Sequence, residues 1–178
     1  LTLVPVSNWL DVTLKQSYLK DCRMRVIHNG VDLKSFYPQN SDVLLKLGIT
    51  DEKKIILGVA AVWDMRKGLK DFYELSRLLP NDEYAIIIVG KVPQDVNYIE
   101  GNCKITFIER TQNVTELAKI YSAADVFVNP TYQDNFPTTN IEALACGTPV
   151  ITYSTGGSPE AVDEHTGIVV PTGDVDAL

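Results

Sequence analysis

From residue 54 onward, short apolar runs alternate with amphipathic segments, and this alternation restricts the fold more than any other feature of the chain. The runs are Ile55-Ile56-Leu57-Gly58-Val59, Ala85-Ile86-Ile87-Ile88-Val89, Ile105-Thr106-Phe107-Ile108, Val126-Phe127-Val128, Val150-Ile151-Thr152-Tyr153 and Ile168-Val169-Val170. Each has strand length and carries apolar residues on both faces, as buried parallel strands do. Between them, Leu69, Phe72, Tyr73, Ser76 and Leu79 mark one helical face that stops at Pro80. Leu117, Ile120, Tyr121 and Ala124 mark another at i, i+3, i+4 and i+7. A short helix is expected within Pro93 to Gly101, and a further one starts at Ser158-Pro159-Glu160, with Ser158 as N-cap, Pro at the first position and an acid in the first turn. The pattern predicts an α/β fold: a Rossmann-like, doubly wound parallel sheet of about six strands with helices on both faces. Such sheets bind ligands beyond the carboxyl ends of their strands. The loops in question are 60–68, 90–93, 109–114, 129–137 and 154–158.

Upstream, residues 1–28 read as strand, helix and strand. Leu3-Val4-Pro5-Val6 is the first strand, Ser7 caps a helix from Asn8 to Leu19, and Arg25-Val26-Ile27 runs into the turn His28-Asn29-Gly30. Val31 to Asn40 is a connector, and Asp42 to Leu47 a helix closed by Gly48. The chain begins at Leu1 and ends at Asp174-Val175-Asp176-Ala177-Leu178, where a helix starts, so a piece of a longer protein is expected. At 178 residues and 45% hydrophobic, the chain can build one core of ordinary size. A net charge of −7 argues against a nucleic-acid surface, which needs clustered Lys and Arg. No apolar run approaches a membrane span. Cys22, Cys103 and Cys146 are odd in number and widely spaced, which indicates neither a disulfide framework nor a zinc site and suits a cytoplasmic location.

Several stretches offer chemistry, each with a plainer reading beside it. In Tyr132 through Pro149 the acids Asp134 and Glu142 flank a helix start near Thr138 or Thr139. Free helical N–H groups there suit a phosphate, and a carboxylate one turn in suits sugar hydroxyls. The plainer reading is a capping box, Thr139-Asn140-Ile141-Glu142, with Asp134 as a turn residue. Trp63-Asp64-Met65-Arg66-Lys67-Gly68 places Arg66 and Lys67 between strand and helix, either against a diphosphate or in solvent. Gly156-Gly157-Ser158 presents backbone amides to an anion or makes a turn that needs positive φ. Asp174-Val175-Asp176 reads as a helix start rather than a metal site, Cys146 as a small buried thiol, and His28 and His165 as structural residues.

The ordered set of motifs resembles the C-terminal, donor-binding domain of family-4 (group 1) retaining glycosyltransferases of GT-B architecture. The matching pieces are Val26-Ile27-His28-Asn29-Gly30-Val31-Asp32, Arg66-Lys67-Gly68, Ala123-Ala124-Asp125-Val126-Phe127-Val128, Asp134 through Pro149, and Gly156-Gly157-Ser158-Pro159-Glu160. The resemblance implies that residues 1–28 are a remnant of an N-terminal domain, 29–53 an interdomain connector with a first helix, and 54–178 the donor-binding domain, truncated at its C-terminus. It implies that Glu142 takes the ribose hydroxyls of a nucleotide sugar and that Asp134 lies by the donor sugar. Asn135, Phe136, Pro137, Thr138 and Thr139 would line sugar and phosphate, Lys67 would meet the diphosphate, and Glu109, Arg110 and Thr111 would face the base. Two positions depart from the family pattern. Asp134 stands where a Glu is usual, about 1.5 Å shorter in reach, and Ala61 stands where an Arg is usual, with Arg66 as its candidate replacement.

The implied activity is transfer of a sugar from a nucleotide-diphosphate sugar to a glycan or lipid-linked acceptor, with retention and with neither cofactor nor metal. The acceptor would be held through the missing N-terminal half, so that this fragment alone transfers poorly or not at all. A GT-B-type nucleotide-sugar epimerase and a non-catalytic nucleotide-binding module are the alternatives.

Overall fold

The computed structural model describes residues 1–50, 52–93 and 101–178. Two short strands, β1 (Thr2–Leu3) and β2 (Arg23–Met24), flank helix α1 (Asn8–Lys15) and pair in parallel as a sheet of their own. After α2 (Val43–Lys46) the chain alternates regularly: β3 (Lys54–Val62), α3 (Leu69–Leu78), β4 (Tyr84–Lys91), β5 (Ile105–Ile108), α4 (Val114–Ser122), β6 (Val126–Asn129), α5 (Thr138–Ala145), β7 (Val150–Tyr153) and β8 (Gly167–Val170). Strands β3 to β8 form one all-parallel sheet in the order β5-β4-β3-β6-β7-β8. The expected segment between Pro93 and Gly101 lies, for residues 94–100, outside the described residues.

The strands sort their side chains by parity. Ile55 and Leu57 of β3 and Ala85, Ile87 and Val89 of β4 pack on one face, with Ala118, Ile120 and Tyr121 of α4, Ala143 of α5 and Cys146. Ile56, Ile86 and Ile88 pack on the other, with Leu69, Phe72, Tyr73 and Leu75 of α3 and with Trp63. Successive residues of a strand point to opposite faces, so an unbroken apolar run supplies two cores at once. From the central strand β3, the chain winds outward through β4 and β5, then crosses back to β6 and winds the other way. The crevice between the carboxyl ends of β3 and β6 is therefore the topological switch point, where such sheets hold ligands. The loops that leave those two ends carry Lys67 and Asp134.

The N-terminal segment departs from the expected pattern. Helix α1 stops at Lys15, not Leu19. The Ser17 hydroxyl donates to the Leu14 carbonyl (2.7 Å) and accepts from the Leu19 N–H (3.1 Å), so a side-chain turn replaces the next helical turn. Strand β1 covers Thr2–Leu3 rather than Leu3–Val6, because Pro5 has no N–H to donate. The pairing continues one-sidedly past β2, from Arg25 N–H to Leu3 O (3.1 Å) and Ile27 N–H to Pro5 O (3.0 Å). The predicted helix at Ser158 is a single 3₁₀ turn, Ser158–Ala161, and its N-cap is Gly157.

Glu160 does not serve its own turn. Its carboxylate accepts from Asn8 N–H (2.7 Å), Trp9 N–H (2.8 Å) and the Asn8 side-chain amide (2.8 Å), and His28 Nε2 lies 2.9 Å away. Together with Ser7 Oγ, which accepts from Leu10 N–H (3.1 Å), it satisfies the open N-terminus of α1 and ties that helix to the large sheet's far end. Burial alone would raise the Glu160 pKa. The Asn8 and Trp9 N–H groups, with His28 and the Asn8 amide, outweigh it and hold the pKa below the ordinary carboxylate value. A depressed carboxylate pKa contributes stability that is present above the unfolded value and lost as pH falls through the folded one. Glu160→Ala should therefore lower unfolding stability by about 1 kcal/mol at neutral pH. The deficit should vanish in acid, below about pH 4, as read from urea midpoints across the pH range; a pH-independent deficit would contradict this account.

Candidate functional site

The loop after β3 begins with a tight turn. Asp64 Oδ1 accepts from the N–H groups of Arg66 (2.9 Å) and Lys67 (3.0 Å), which starts the 3₁₀ turn Met65–Lys67. Gly68 ends it at φ 75°, and a Cβ there would run into the Pro130 carbonyl. Glycine thus meets two demands at once, a left-handed conformation and backbone contact with the loop after β6. Two hydrogen bonds join the loops: the Arg66 carbonyl accepts from Tyr132 N–H (2.7 Å) and the Thr131 hydroxyl (3.1 Å).

That contact places Lys67 beside Asp134. Lys67 Nζ lies 2.7 Å from Asp134 Oδ2, with side-chain exposures of 30% and 19%. Asp134 Oδ1 accepts from Phe136 N–H (3.2 Å), so the expected turn role and the charged role coexist in one side chain. The loop after β7 closes from the other side. Gly156, at φ 53°, leaves no room for a Cβ against the Asp134 carbonyl, and the Gly157 N–H donates to that carbonyl (3.2 Å). Gly156 takes the positive φ and the Gly157 N–H serves loop packing, which favours the turn over the anion reading.

Two adjoining clefts meet at the Lys67–Asp134 pair, and both residues line both clefts. The smaller, of about 260 Å³, holds Ala61, Trp63, Phe136, Pro137, Thr138 and Thr139. The larger, of about 520 Å³, holds Trp9, Arg66, Tyr132, Gln133, Asn135 and Thr155. Helix α5 opens into the smaller cleft. Its N-cap position is Pro137 and no side chain caps it, so the first helical N–H groups remain available to a ligand.

Glu142 is not the capping glutamate of the alternative reading. The helix starts at Thr138, two residues early for a Thr139 cap, and Glu142 Oε2 instead accepts from the Tyr121 hydroxyl (3.1 Å). Burial raises its pKa, against hydrogen bonds from Tyr121 and Thr138 that lower it. Glu142 lines neither cleft. Arg66 is 60% exposed, its guanidinium forked onto Asp64 (3.1 and 2.9 Å), and it lines the larger cleft, whereas Ala61 lines the smaller. Glu109, Arg110 and Thr111 follow β5 and line neither cleft. Asp174 caps the turn Val175–Ala177 by accepting from Ala177 N–H (3.2 Å), and among the described residues no cluster of His, Cys, Asp or Glu is arranged for a metal.

Two supports were not readable in advance. Asp71 of α3 is 4% exposed and accepts from the hydroxyls of Tyr132 (3.2 Å) and Tyr153 (2.8 Å), which fixes the site loop from beneath. In the sequence it is an acid in a first helical turn, a common surface residue; the two tyrosines, 61 and 82 residues further on, make it a core group. His28 stacks on Phe136 (centroids 4.8 Å, planes 7° apart) and so joins the Glu160 contact to the site loop.

Comparisons with known proteins follow the same lines. A family model described as glycosyl transferases group 1 matches residues 53–178. The D-inositol 3-phosphate glycosyltransferase of Mycobacteroides abscessus is 31% identical over 163 residues, 84% of this chain and 36% of that protein. Sucrose-phosphate synthase from Thermosynechococcus elongatus superposes with a TM-score of 0.85 at 30% identity, over 99% of this chain and 46% of its own. Anabaena HepE, solved in complex with UDP-glucose, superposes with a TM-score of 0.78 at 18% identity, over 98% of this chain and 50% of its own, a likeness of fold. The chain spans little more than a third of the length of the Mycobacteroides protein.

Gly68→Ala should cost about 1–3 kcal/mol, through its positive φ and the Pro130 contact, and an unchanged urea midpoint would refute the loop-packing argument. Asp71→Asn tests the buried acid. Burial raises the Asp71 pKa against the Tyr153 and Tyr132 hydrogen bonds that lower it, so folding favours its protonated form. Wild-type stability then carries a cost that grows as pH rises above the unfolded Asp value of about 3.9. The variant should gain on wild type as pH rises from about 4, and a difference in melting temperature that shrinks or stays flat as pH first rises above that value would refute it.

Proposed function

This chain belongs to the group 1 glycosyl transferases, and we propose that it is the donor-binding part of a family-4 retaining enzyme that moves a sugar from a nucleotide diphosphate to an acceptor. The single observation that carries this reading is the Lys67–Asp134 pair at the β3/β6 switch point, beside the uncapped start of α5. The relative named above is a glycosyltransferase, and the Anabaena protein was solved with UDP-glucose. In the proposal, residues 1–28 close an N-terminal domain, 29–53 connect, and 54–178 bind the donor. The acceptor is a glycan or lipid-linked molecule held mainly by the N-terminal half. No helix among the described residues is long and apolar enough to cross a membrane; a cytoplasmic enzyme is proposed.

The roles follow from charge. As the bond from the anomeric carbon to the diphosphate breaks, negative charge grows on the leaving phosphate. Lys67 and the N–H groups at Thr138 and Thr139 meet that charge without reorganisation, since loop packing already holds them in place. In this proposal they supply the positive charge that a metal would otherwise provide. Asp134 keeps Lys67 oriented and lies beside the donor sugar, with Asn135, Phe136 and Pro137 shaping its surroundings. Glu142 takes the ribose hydroxyls. A carboxylate has about four acceptor positions, so its bonds to Tyr121 and Thr138 leave capacity for a diol. The diphosphate falls to Lys67 rather than Arg66, which is engaged with Asp64 on the other side. Glu109, Arg110 and Thr111 are proposed for the base only by their position after β5.

A thermal-shift screen with UDP, GDP, ADP and their sugars tests the reading. Ligand at 100 times its Kd adds about 2.7 kcal/mol of stability. One nucleotide series should raise the melting temperature, and Glu142→Gln should weaken that nucleotide about tenfold. In the protein carrying its N-terminal half, Lys67→Ala should cut kcat about 10²–10³-fold. Absence of any nucleotide shift, or an N-terminally complete protein that transfers no sugar, would overturn the proposal.

A further inference from the structure

The donor chemistry uses the smaller cleft and the Lys67, Asp134 and Asn135 edge of the larger one, and it leaves Trp9, Tyr132, Gln133 and Thr155 of the larger cleft without a ligand. We propose that the larger cleft is the acceptor's sugar subsite on this domain, with Trp9 and Tyr132 as the platforms against which a pyranose ring lies. The inference rests on the donor-binding reading above.

The cleft has the composition a pyranose demands. A sugar ring has apolar C–H faces and a hydroxyl rim, and it suits aromatic walls edged by amides and hydroxyls. Trp9 is 44% exposed and Tyr132 38% exposed, and Gln133 and Thr155 provide the polar edge. The volume, about 520 Å³, lies in the range of small-molecule sites.

Both platforms are held from outside the cleft. Tyr132 donates its hydroxyl to Asp71 (3.2 Å) and meets Tyr153 edge-on at 5.6 Å, while its N–H is fixed to the Arg66 carbonyl (2.7 Å). Trp9 stands in the first turn of α1, with its backbone N–H on Glu160 Oε1 (2.8 Å). A large apolar side chain held at a helix start and half in water, at the mouth of a polar cleft, gains nothing for the core.

Position assigns the cleft to the acceptor. The two clefts share Lys67 and Asp134. With the diphosphate at Lys67 and the α5 start, the anomeric carbon lies at that junction. A ring in the larger cleft presents its hydroxyls to the same point. Transfer then forms the bond from the anomeric carbon to the acceptor oxygen and breaks the bond to the diphosphate, with the acceptor's proton passing to the departing diphosphate.

The chain contains two tryptophans, and Trp63, 2% exposed, lines the smaller cleft, so the part of an emission change that is lost in Trp9→Ala reports on Trp9. The experiment titrates methyl pyranosides of glucose, galactose, mannose and N-acetylglucosamine configuration into the chain saturated with whichever nucleotide raises its melting temperature. Tryptophan emission and saturation-transfer NMR of the sugar are both read. At least one pyranoside should quench emission saturably. Trp9→Ala should weaken its NMR-detected binding about tenfold and Trp9→Phe much less, with the nucleotide shift unchanged in both. Undiminished pyranoside binding in Trp9→Ala overturns the proposal, as does failure of every pyranoside to bind while the nucleotide does. Weakened binding of the nucleotide sugar but not of the free nucleotide in Trp9→Ala also overturns it, because the cleft would then be the donor's own sugar pocket. If no nucleotide binds at all, the donor-binding reading itself falls; Trp9-dependent sugar binding in that case leaves a saccharide site with no acceptor role.

Discussion

The site depends on three loops whose backbones touch where no side chain fits between them. The loop after β3 meets the loop after β6 at Gly68 and Pro130, and the loop after β7 meets it at Gly156 and Asp134. Contact at this range makes a lysine on one strand's loop and an aspartate on another's a fixed pair, because the peptide units beneath them cannot drift apart. The ion pair itself contributes little cohesion. Both partners keep some contact with water, and partly exposed pairs are weak. Cause runs from packing to charge: glycine sets the loop spacing, the spacing sets the pair, and the pair sets where a negative ligand meets positive charge.

The carboxylates divide by environment rather than by residue type. Asp134 faces a cation, Glu160 collects helix N–H groups, and Asp71 is surrounded by protein with only two neutral hydroxyls. Glu160 is stabilised as an anion by its donors, while burial pushes Asp71 toward its neutral form. A neutral Asp71 can still hold one tyrosine hydroxyl as acceptor and offer its own proton to the other. Its function is then structural in a specific sense, since it keeps Tyr132 in place whatever charge it carries. Glu142 resembles Asp71 in being raised by burial and lies next to a tyrosine whose own pKa is pushed well up by burial and by that carboxylate. Tyr121 therefore stays a donor at any ordinary pH.

The parallel sheet was legible because each strand is an unbroken apolar run, and such a run has meaning without knowledge of its neighbours. The switch point was legible in part, because loop order along the chain implied which loops crowd the carboxyl ends. What the sequence hid were contacts between distant segments. Glu160 reads as an acid in a first turn, and nothing local says that the helix it serves is α1. Thr139 to Glu142 spells a capping box, yet Pro137 caps the helix two residues too early for it. The helix expected to reach Leu19 stops at Lys15 because Ser17 diverts the chain by bonding its own neighbours. Glu160 and Glu142 each had one local and one remote partner within reach, and local pattern could name only the local one.

The remote contacts form a single chain of their own. Glu160 holds the start of α1 and contacts His28, His28 stacks on Phe136, and Phe136 belongs to the loop that carries Asp134. The N-terminal segment, in a separate two-stranded sheet, is thus joined to the loop after β6 by side chains rather than by strand pairing. Such a joint is compliant: a carboxylate on helix N–H groups can pivot, whereas a shared β-ladder cannot without breaking its bonds. A movement of α1 would shift Trp9 relative to Tyr132 and alter the width of the larger cleft, while the glycine contacts hold the Lys67–Asp134 junction fixed. The Lys67–Asp134 junction rests on backbone contacts between loops, whereas Trp9 stands on a helix held to the sheet through the Glu160 carboxylate and the packing of Ser7 on Gly157.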